Sequence, residues 1–304
     1  MKKLGLTALA LTLFLTACGE EANTVDEETE NEARVLTDGT GNEVEIPENP
    51  EQIIGSYLED YLVALGVTPV AQWSVNDGET VQEYLQDDLS DLPTIPHDLP
   101  YEAVLEYDPD LLIIRDAVEE SQIDQYKQIA PTYVLNASPT EWRETLLEIG
   151  DVLGQEDEAA EVIAEYDTLA NETADVVSEN AEGATAAAIW MIDTSLFVVH
   201  PERSSGAVLY EDAGFDIPEV VASLSEDADW AAVSLEELAE MNVDHLFLIT
   251  DDEETALTED RLWQNIPAVE NEQVHVFDSV SAWLYYGPVA NTQVLNYIEE
   301  SVSN

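Results

Sequence analysis

Residues 156–180 read Glu-Asp-Glu-Ala-Ala-Glu-Val-Ile-Ala-Glu-Tyr-Asp-Thr-Leu-Ala-Asn-Glu-Thr-Ala-Asp-Val-Val-Ser-Glu-Asn. Apolar or small residues fall at Ala159, Val162, Ile163, Tyr166, Leu169, Ala170, Thr173, Val176 and Val177, always one or three positions apart. That spacing gathers them into one stripe of an α-helix. No Pro or Gly interrupts the run, and it outlasts the ~11–12 residues of an ordinary helix. Together with a helix predicted over Trp142–Leu153, it reads as a rigid connector with something to hold on each side.

On the N-terminal side, residues 34–46 alternate around Asp38-Gly39 and predict a hairpin. Ile53–Ser56 predicts a strand entering a helix over Leu58–Leu65, and Val67–Gln72 a further strand. Tyr101–Glu106 predicts a helix, Asp108-Pro109-Asp110 a turn and Leu111–Ile114 a strand. A continuous apolar run of that kind suits a parallel sheet covered on both faces. Gln122–Ile129 predicts a helix and Thr132–Leu135 a strand. Beyond the connector, strands are predicted over Ala186–Met191, Leu196–Val199, His245–Thr250 and Val274–Phe277. Helices are predicted over Val208–Ala213, Ser234–Met241 and Val289–Val302. Strands alternating with helices mark an α/β fold.

The two sides also resemble each other. Glu102-Ala-Val-Leu-Glu-Tyr-Asp-Pro-Asp110 lies on Glu236-Glu-Leu-Ala-Glu-Met-Asn-Val-Asp244, so Glu102 pairs with Glu236, Glu106 with Glu240 and Asp110 with Asp244. Each copy is a short helix, a tight turn and a buried strand. Two copies flanking a long helix imply two α/β lobes with mainly parallel sheets, joined by that single helix, with a ligand cleft between them. The expected division is an N-terminal lobe over 34–138, linking helices over 139–182 and a C-terminal lobe over 183–304.

The first 33 residues read differently. Lys2 and Lys3 precede an apolar run from Leu4 to Leu15, too short to span a bilayer and of signal-peptide form. It ends in Leu15-Thr16-Ala17-Cys18, which looks like a bacterial lipobox. In that pattern residues 1–17 are removed, Cys18 receives diacylglycerol, and the chain sits outside the cytoplasm, lipid-anchored to the cell membrane. Residues 18–33 then form an acidic, disordered spacer.

Composition narrows the function. The 304 residues carry 67 Asp and Glu against 8 Lys and Arg, a net charge of −59. Such a surface repels phosphate backbones, which excludes nucleic-acid binding, and it implies adaptation to high salt, where self-repulsion is screened. The lone cysteine excludes an internal disulfide and any cysteine-based metal site. Beyond residue 17 only Arg34, Arg115, Lys127, Arg143, Arg203 and Arg261 are basic. Where basic residues are this scarce, those that stay have partners. Arg115, Arg143 and Arg203 are open to anion binding or to structural ion pairing; the other three read as structural. No Gly-x-Ser-x-Gly, His-Glu-x-x-His, P-loop or Gly-x-Gly-x-x-Gly motif is present, so nothing marks an enzyme. His97, His200, His245 and His275 have no metal-box spacing, which argues against a direct zinc or manganese carrier.

The ordered motifs resemble the substrate-binding lipoproteins of bacterial ABC importers for ferric siderophores, a group with cobalamin- and haem-binding members. They are Ile-Pro-Glu-Asn-Pro-Glu-Gln-Ile-Ile (46–54), Ala-Leu-Gly-Val-Thr-Pro-Val (64–70), residues 101–114, Ile-Ala-Pro-Thr (129–132), residues 206–215, Trp-Ala-Ala-Val-Ser-Leu-Glu (230–236) and Trp-Leu-Tyr-Tyr-Gly-Pro (283–288). The resemblance implies a monomeric receptor, without a cofactor, that captures a ferric siderophore of hydroxamate or hydroxycarboxylate type for an ABC permease dimer. A haem or cobalamin carrier of the same fold is the alternative. It implies permease docking through Glu102 and Glu236. It places Arg203, in a loop before a helix, and Trp283, Tyr285 and Tyr286, in a cleft-lining loop, at the ligand. Trp73, His97, Arg115 and Trp142 are the candidates from the first lobe and the connector. Some hydroxamate binders carry a tryptophan near the position of Arg203; Pro201 and Glu202 stand there instead.

Overall fold

The computed structural model describes residues 34–115, 118–136, 141–223, 229–251 and 257–303. The readings at residues 1–17, at Cys18 and over 18–33 lie outside these. Twelve strands are described: β1 Arg34–Thr37, β2 Glu43–Ile46, β3 Ile53–Ile54, β4 Gln72–Ser74, β5 Thr94–Pro96, β6 Leu111–Ile114, β7 Thr132–Val134, β8 Ala186–Ile192, β9 Ser195–Val199, β10 Trp230–Val233, β11 His245–Ile249 and β12 Val274–Phe277. Between β7 and β8 run the two helices Trp142–Leu153 and Glu156–Asn180, with the bounds that the apolar stripe predicts. The sheets segregate on either side of them. β1 and β2 form the antiparallel hairpin, β3, β6 and β7 a parallel sheet in the order β3-β6-β7, and β4 and β5 a parallel pair. After the connector comes one five-stranded sheet, β10-β9-β8-β11-β12. It is mixed: β8, β11 and β12 are parallel, whereas β8-β9-β10 is an antiparallel meander.

The repeat has a physical basis. Asp110 accepts hydrogen bonds from Glu51 N (2.8 Å) and Gln52 N (3.0 Å), and returns its own N–H to Gln52 O (2.9 Å). Asp244 accepts from Thr185 N (2.9 Å) and Thr185 Oγ1 (3.0 Å), and returns its N–H to Thr185 O (2.9 Å). Glu51–Asp110 and Thr185–Asp244 span the same 59 residues. In each copy, therefore, an aspartate at the foot of the helix–turn–strand unit clamps the chain entering the neighbouring parallel strand, β3 or β8.

Some elements depart from the sequence reading. The strand expected at Val67–Gln72 forms instead at Gln72–Ser74. Val67 N–H is drawn back to Leu62 O at the end of the preceding helix (2.8 Å), and Pro69 has no donor to give. The helix expected over Gln122–Ile129 runs Glu120–Tyr126. The helix over Val208–Ala213 is a short turn, Ser205–Ala207, running into a π-helical turn, Val208–Asp212.

The two sides are also less separate than a single strut implies. One continuous apolar cluster runs from Val44, Ile53 and Leu62 through Trp142, Ile149 and Tyr166 to Ile189, Phe247 and Ile298; a smaller one packs Ile54, Leu112 and Tyr126. The C-terminal helix, Pro288–Val302, lies against the connector and returns to the first helix of the fold, Glu59–Ala64. There buried Asp60 accepts from Val289 N (2.8 Å) and Ala290 N (2.9 Å), and Tyr84 Oη donates to it (2.9 Å). A Cβ on Gly287 would come within 2.4 Å of that carboxylate, so only glycine fits. Among the described residues no helix is long and apolar enough to cross a membrane.

Candidate functional site

In parallel α/β sheets, ligands collect beyond the carboxyl ends of the strands. Arg115 is the first residue past β6, and Tyr57 stands three residues past β3. Tyr57 has φ 61°, a left-handed backbone uncommon for a bulky residue and frequent at ligand clamps. Its ring packs on Trp73 (centroids 5.3 Å apart) and on Tyr286 (6.4 Å). The guanidinium of Arg115 lies 5.5 Å from the Tyr57 centroid and 5.7 Å from that of Tyr286, cation–π distances that hold it in place. Burial pushes both phenols above their ordinary range, while Arg115 opposes the shift.

The second side arrives through two loops stitched together. Ser204 Oγ donates to Tyr285 O (3.2 Å) and Ser205 Oγ to Trp283 O (2.8 Å). Gly206 permits the turn, since a Cβ there would lie 2.0 Å from His200 O. This fixes Arg203 and Tyr286 against each other across a cavity of about 160 Å³. Arg115, Trp142, Arg203 and Tyr286 line it, with Glu202, Ser204, Ala207, Asp229 and Asn291. Arg203 reaches Asp229 at 3.5 Å. Arg115 has no carboxylate within salt-bridge reach among the described residues.

The other cations sort themselves. Arg143 pairs with Asp167 (2.7 Å) and Asp212 (3.6 Å), and stacks 4.5 Å from the Trp142 ring, which makes it structural. Arg34 pairs with Asp151 and Glu156. Lys127 and Arg261, read as structural, make no ion pair among the described residues.

The structure thus gathers Arg115, Trp142, Arg203 and Tyr286 around one cavity and seats Trp73 behind Tyr57. It does not bring in the remaining candidates. Trp283 has 0% exposure and packs on Phe247 (5.0 Å) and Phe277 (5.5 Å); it is a core residue, because its loop turns the indole inward. His97 is an exposed residue just beyond β5, away from the cavity. Tyr285 faces Tyr84 (4.7 Å) outside the lining. Of the histidines, His245 and His275 touch (Nδ1 to Nε2, 3.3 Å), and the described residues contain no cluster of three metal-ligating groups. Glu102 and Glu236 are exposed on equivalent helices, Tyr101–Glu106 and Leu235–Met241.

Two features escaped the sequence reading, one beside the cavity and one in its lining. Tyr57 follows Gly55-Ser56 at a strand end, which is the available signal. Asn291 is 3% exposed, its Oδ1 has no hydrogen-bond partner, and it interrupts the apolar stripe of Ala290, Val294, Leu295 and Ile298. A polar residue in such a stripe is a legible anomaly.

A larger groove, about 770 Å³, lies between Tyr84, Phe277, Gln293 and Tyr297, but Glu83, Asp251 and Asp278 line it with no cation. The smaller cavity is the better candidate because it alone of the two offers positive charge.

The chain is 24% identical over 312 residues to the probable siderophore-binding lipoprotein YfiY of Bacillus subtilis, covering 97% of this chain and 94% of that one. It is 26% identical over 296 residues, 91% of each chain, to an iron-uptake system-binding protein of the same organism. The crystal structure of the iron-uptake system-binding protein FeuA of Bacillus subtilis superposes with a TM-score of 0.74 at 19% identity, covering 88% of this chain and all of that one. The family profile described as Periplasmic binding protein matches residues 55–280, from just after β3 through the connector to just past β12, and the chain belongs to that family.

Proposed function

We propose that this chain is an extracytoplasmic receptor, held to the membrane by lipid on Cys18, that captures a ferric siderophore in the Arg115–Arg203 cavity and delivers it to an ABC permease dimer. It performs no chemistry on its cargo. The observation that carries this reading is the meeting of one arginine from each side of the connector over Tyr286 and Trp142, in a chain of net charge −59. Aromatic walls with a few fixed cations suit a compact, partly apolar chelate. The names of the two curated relatives support it. The cavity is smaller than the ~300–1,000 Å³ of most ligand sites, so part of the chelate stays outside the cup. Glu102 and Glu236, equivalent in the repeat, suit a two-fold partner.

Tryptophan-fluorescence titration in molar salt with ferric hydroxamates, catecholates, ferric citrate, haem and cobalamin tests the reading. A ferric chelate is expected to bind tightest, and Arg203→Ala to weaken it by on the order of 1–3 kcal/mol, as for a charge-assisted hydrogen bond. Binding of haem or cobalamin alone overturns the cargo. Glu102→Ala with Glu236→Ala is expected to leave affinity intact and abolish uptake.

A further inference from the structure

Arg115 and Asn291 share a requirement that the fold itself leaves unmet. Arg115 is held between two tyrosine rings, with no carboxylate partner among the described residues, in a protein where acids outnumber bases eightfold. Its guanidinium presents a planar fork of donors matched to a carboxylate. Asn291 lies in the first turn of the helix Pro288–Val302 and lines the same cavity; it is 3% exposed, and its Oδ1 is buried without a hydrogen-bond partner. A buried carbonyl oxygen left without a donor is costly. The two carboxylates at the cavity lie toward solvent. Glu202 is exposed, and Asp229, 47% exposed, is already engaged with Arg203.

Resting on the receptor reading above, we infer that the cargo is an anionic ferric chelate of the polycarboxylate type, whose free carboxylate arm seats on Arg115 beside Asn291. A neutral trihydroxamate complex has no charge for Arg115 to meet. A triscatecholate is anionic but presents three aromatic rings, and the cavity of about 160 Å³ is sized for one arm of a chelate.

The test uses the full soluble chain in molar salt with three probes: ferric citrate, a neutral ferric trihydroxamate and a ferric triscatecholate. Ferric citrate is expected to bind at least tenfold tighter than the other two. Arg115→Gln is expected to erase that preference, lowering citrate affinity at least tenfold and trihydroxamate affinity far less, with Arg115→Lys restoring part of it. Asn291→Asp, which adds a buried carboxylate to the cavity lining, is expected to act in the same direction, and a circular-dichroism spectrum matching the parent shows that each variant is folded. Equal or tighter binding of the trihydroxamate or the triscatecholate overturns the inference and leaves the receptor reading standing, as does an Arg115→Gln variant that weakens all three alike. Binding of none of the three ferric chelates overturns both.

Discussion

The two helix–turn–strand units are built alike and finished differently. Asp110 and Asp244 clamp the chain before β3 and β8 at the same separation of 59 residues. Past the strands the likeness stops. The first residue after β6 is Arg115, braced by two tyrosines; after β11 come Thr250 and Asp251, which line the acidic groove. The duplicated part supplies scaffold, and the residues just beyond it supply character. A second asymmetry is Asp60: the first side reaches the C-terminal helix through a buried carboxylate, and the second copy offers no equivalent bond among the described residues.

The largest break in this comparison is Asp60→Ala. It strands two backbone N–H groups and the Tyr84 hydroxyl in a buried place, and is expected to cost on the order of 3–5 kcal/mol in denaturant unfolding. A loss below about 1 kcal/mol would show that the cross-connection is incidental. Its charge state gives the next test. Burial pushes Glu59 up to about 7 and Asp60 up to about 6, from a usual value near 4. The folded state therefore holds protons that the unfolded chain has released. The stabilisation is complete below about pH 4 and is lost as pH rises through about 6 to 7. Unfolding midpoints at constant high salt are expected to be higher at pH 5 than at pH 7.5, with a smaller difference in Glu59→Gln; a flat profile in the parent contradicts this. The smallest effect sharpens the likeness itself. Asp110→Ala and Asp244→Ala each remove two accepted hydrogen bonds and are expected to cost about 1–3 kcal/mol apiece, within ~0.5 kcal/mol of one another. Clearly unequal losses refute the equivalence.

Much of the scaffold is legible in the residues. The stripe from Ala159 to Val177 fixes the connector because a 3.6-residue period over 25 residues has few other solutions. The unbroken Leu-Leu-Ile-Ile of β6 announces a strand covered on both faces. The antiparallel meander β8-β9-β10 is not announced, since apolar strands do not state their direction. The site is half legible. Scarcity of bases singles out Arg115 and Arg203, but nothing local separates them from Arg143, whose partners Asp167 and Asp212 lie 24 or more residues away. Trp283 illustrates the opposite error. Its neighbour Tyr286 lines the cavity while its own indole turns into the core, and the course of the loop between them decides which.

The bond from Asp60 to Val289 and Ala290 joins positions about 230 residues apart. The segment around Asp60 cannot complete its packing until the helix Pro288–Val302 is in place. Until then its apolar flank stays open to proteases and to neighbouring chains. Cutting the chain at residue 288 therefore leaves the buried Asp60 carboxylate, far away in sequence, without its two backbone donors.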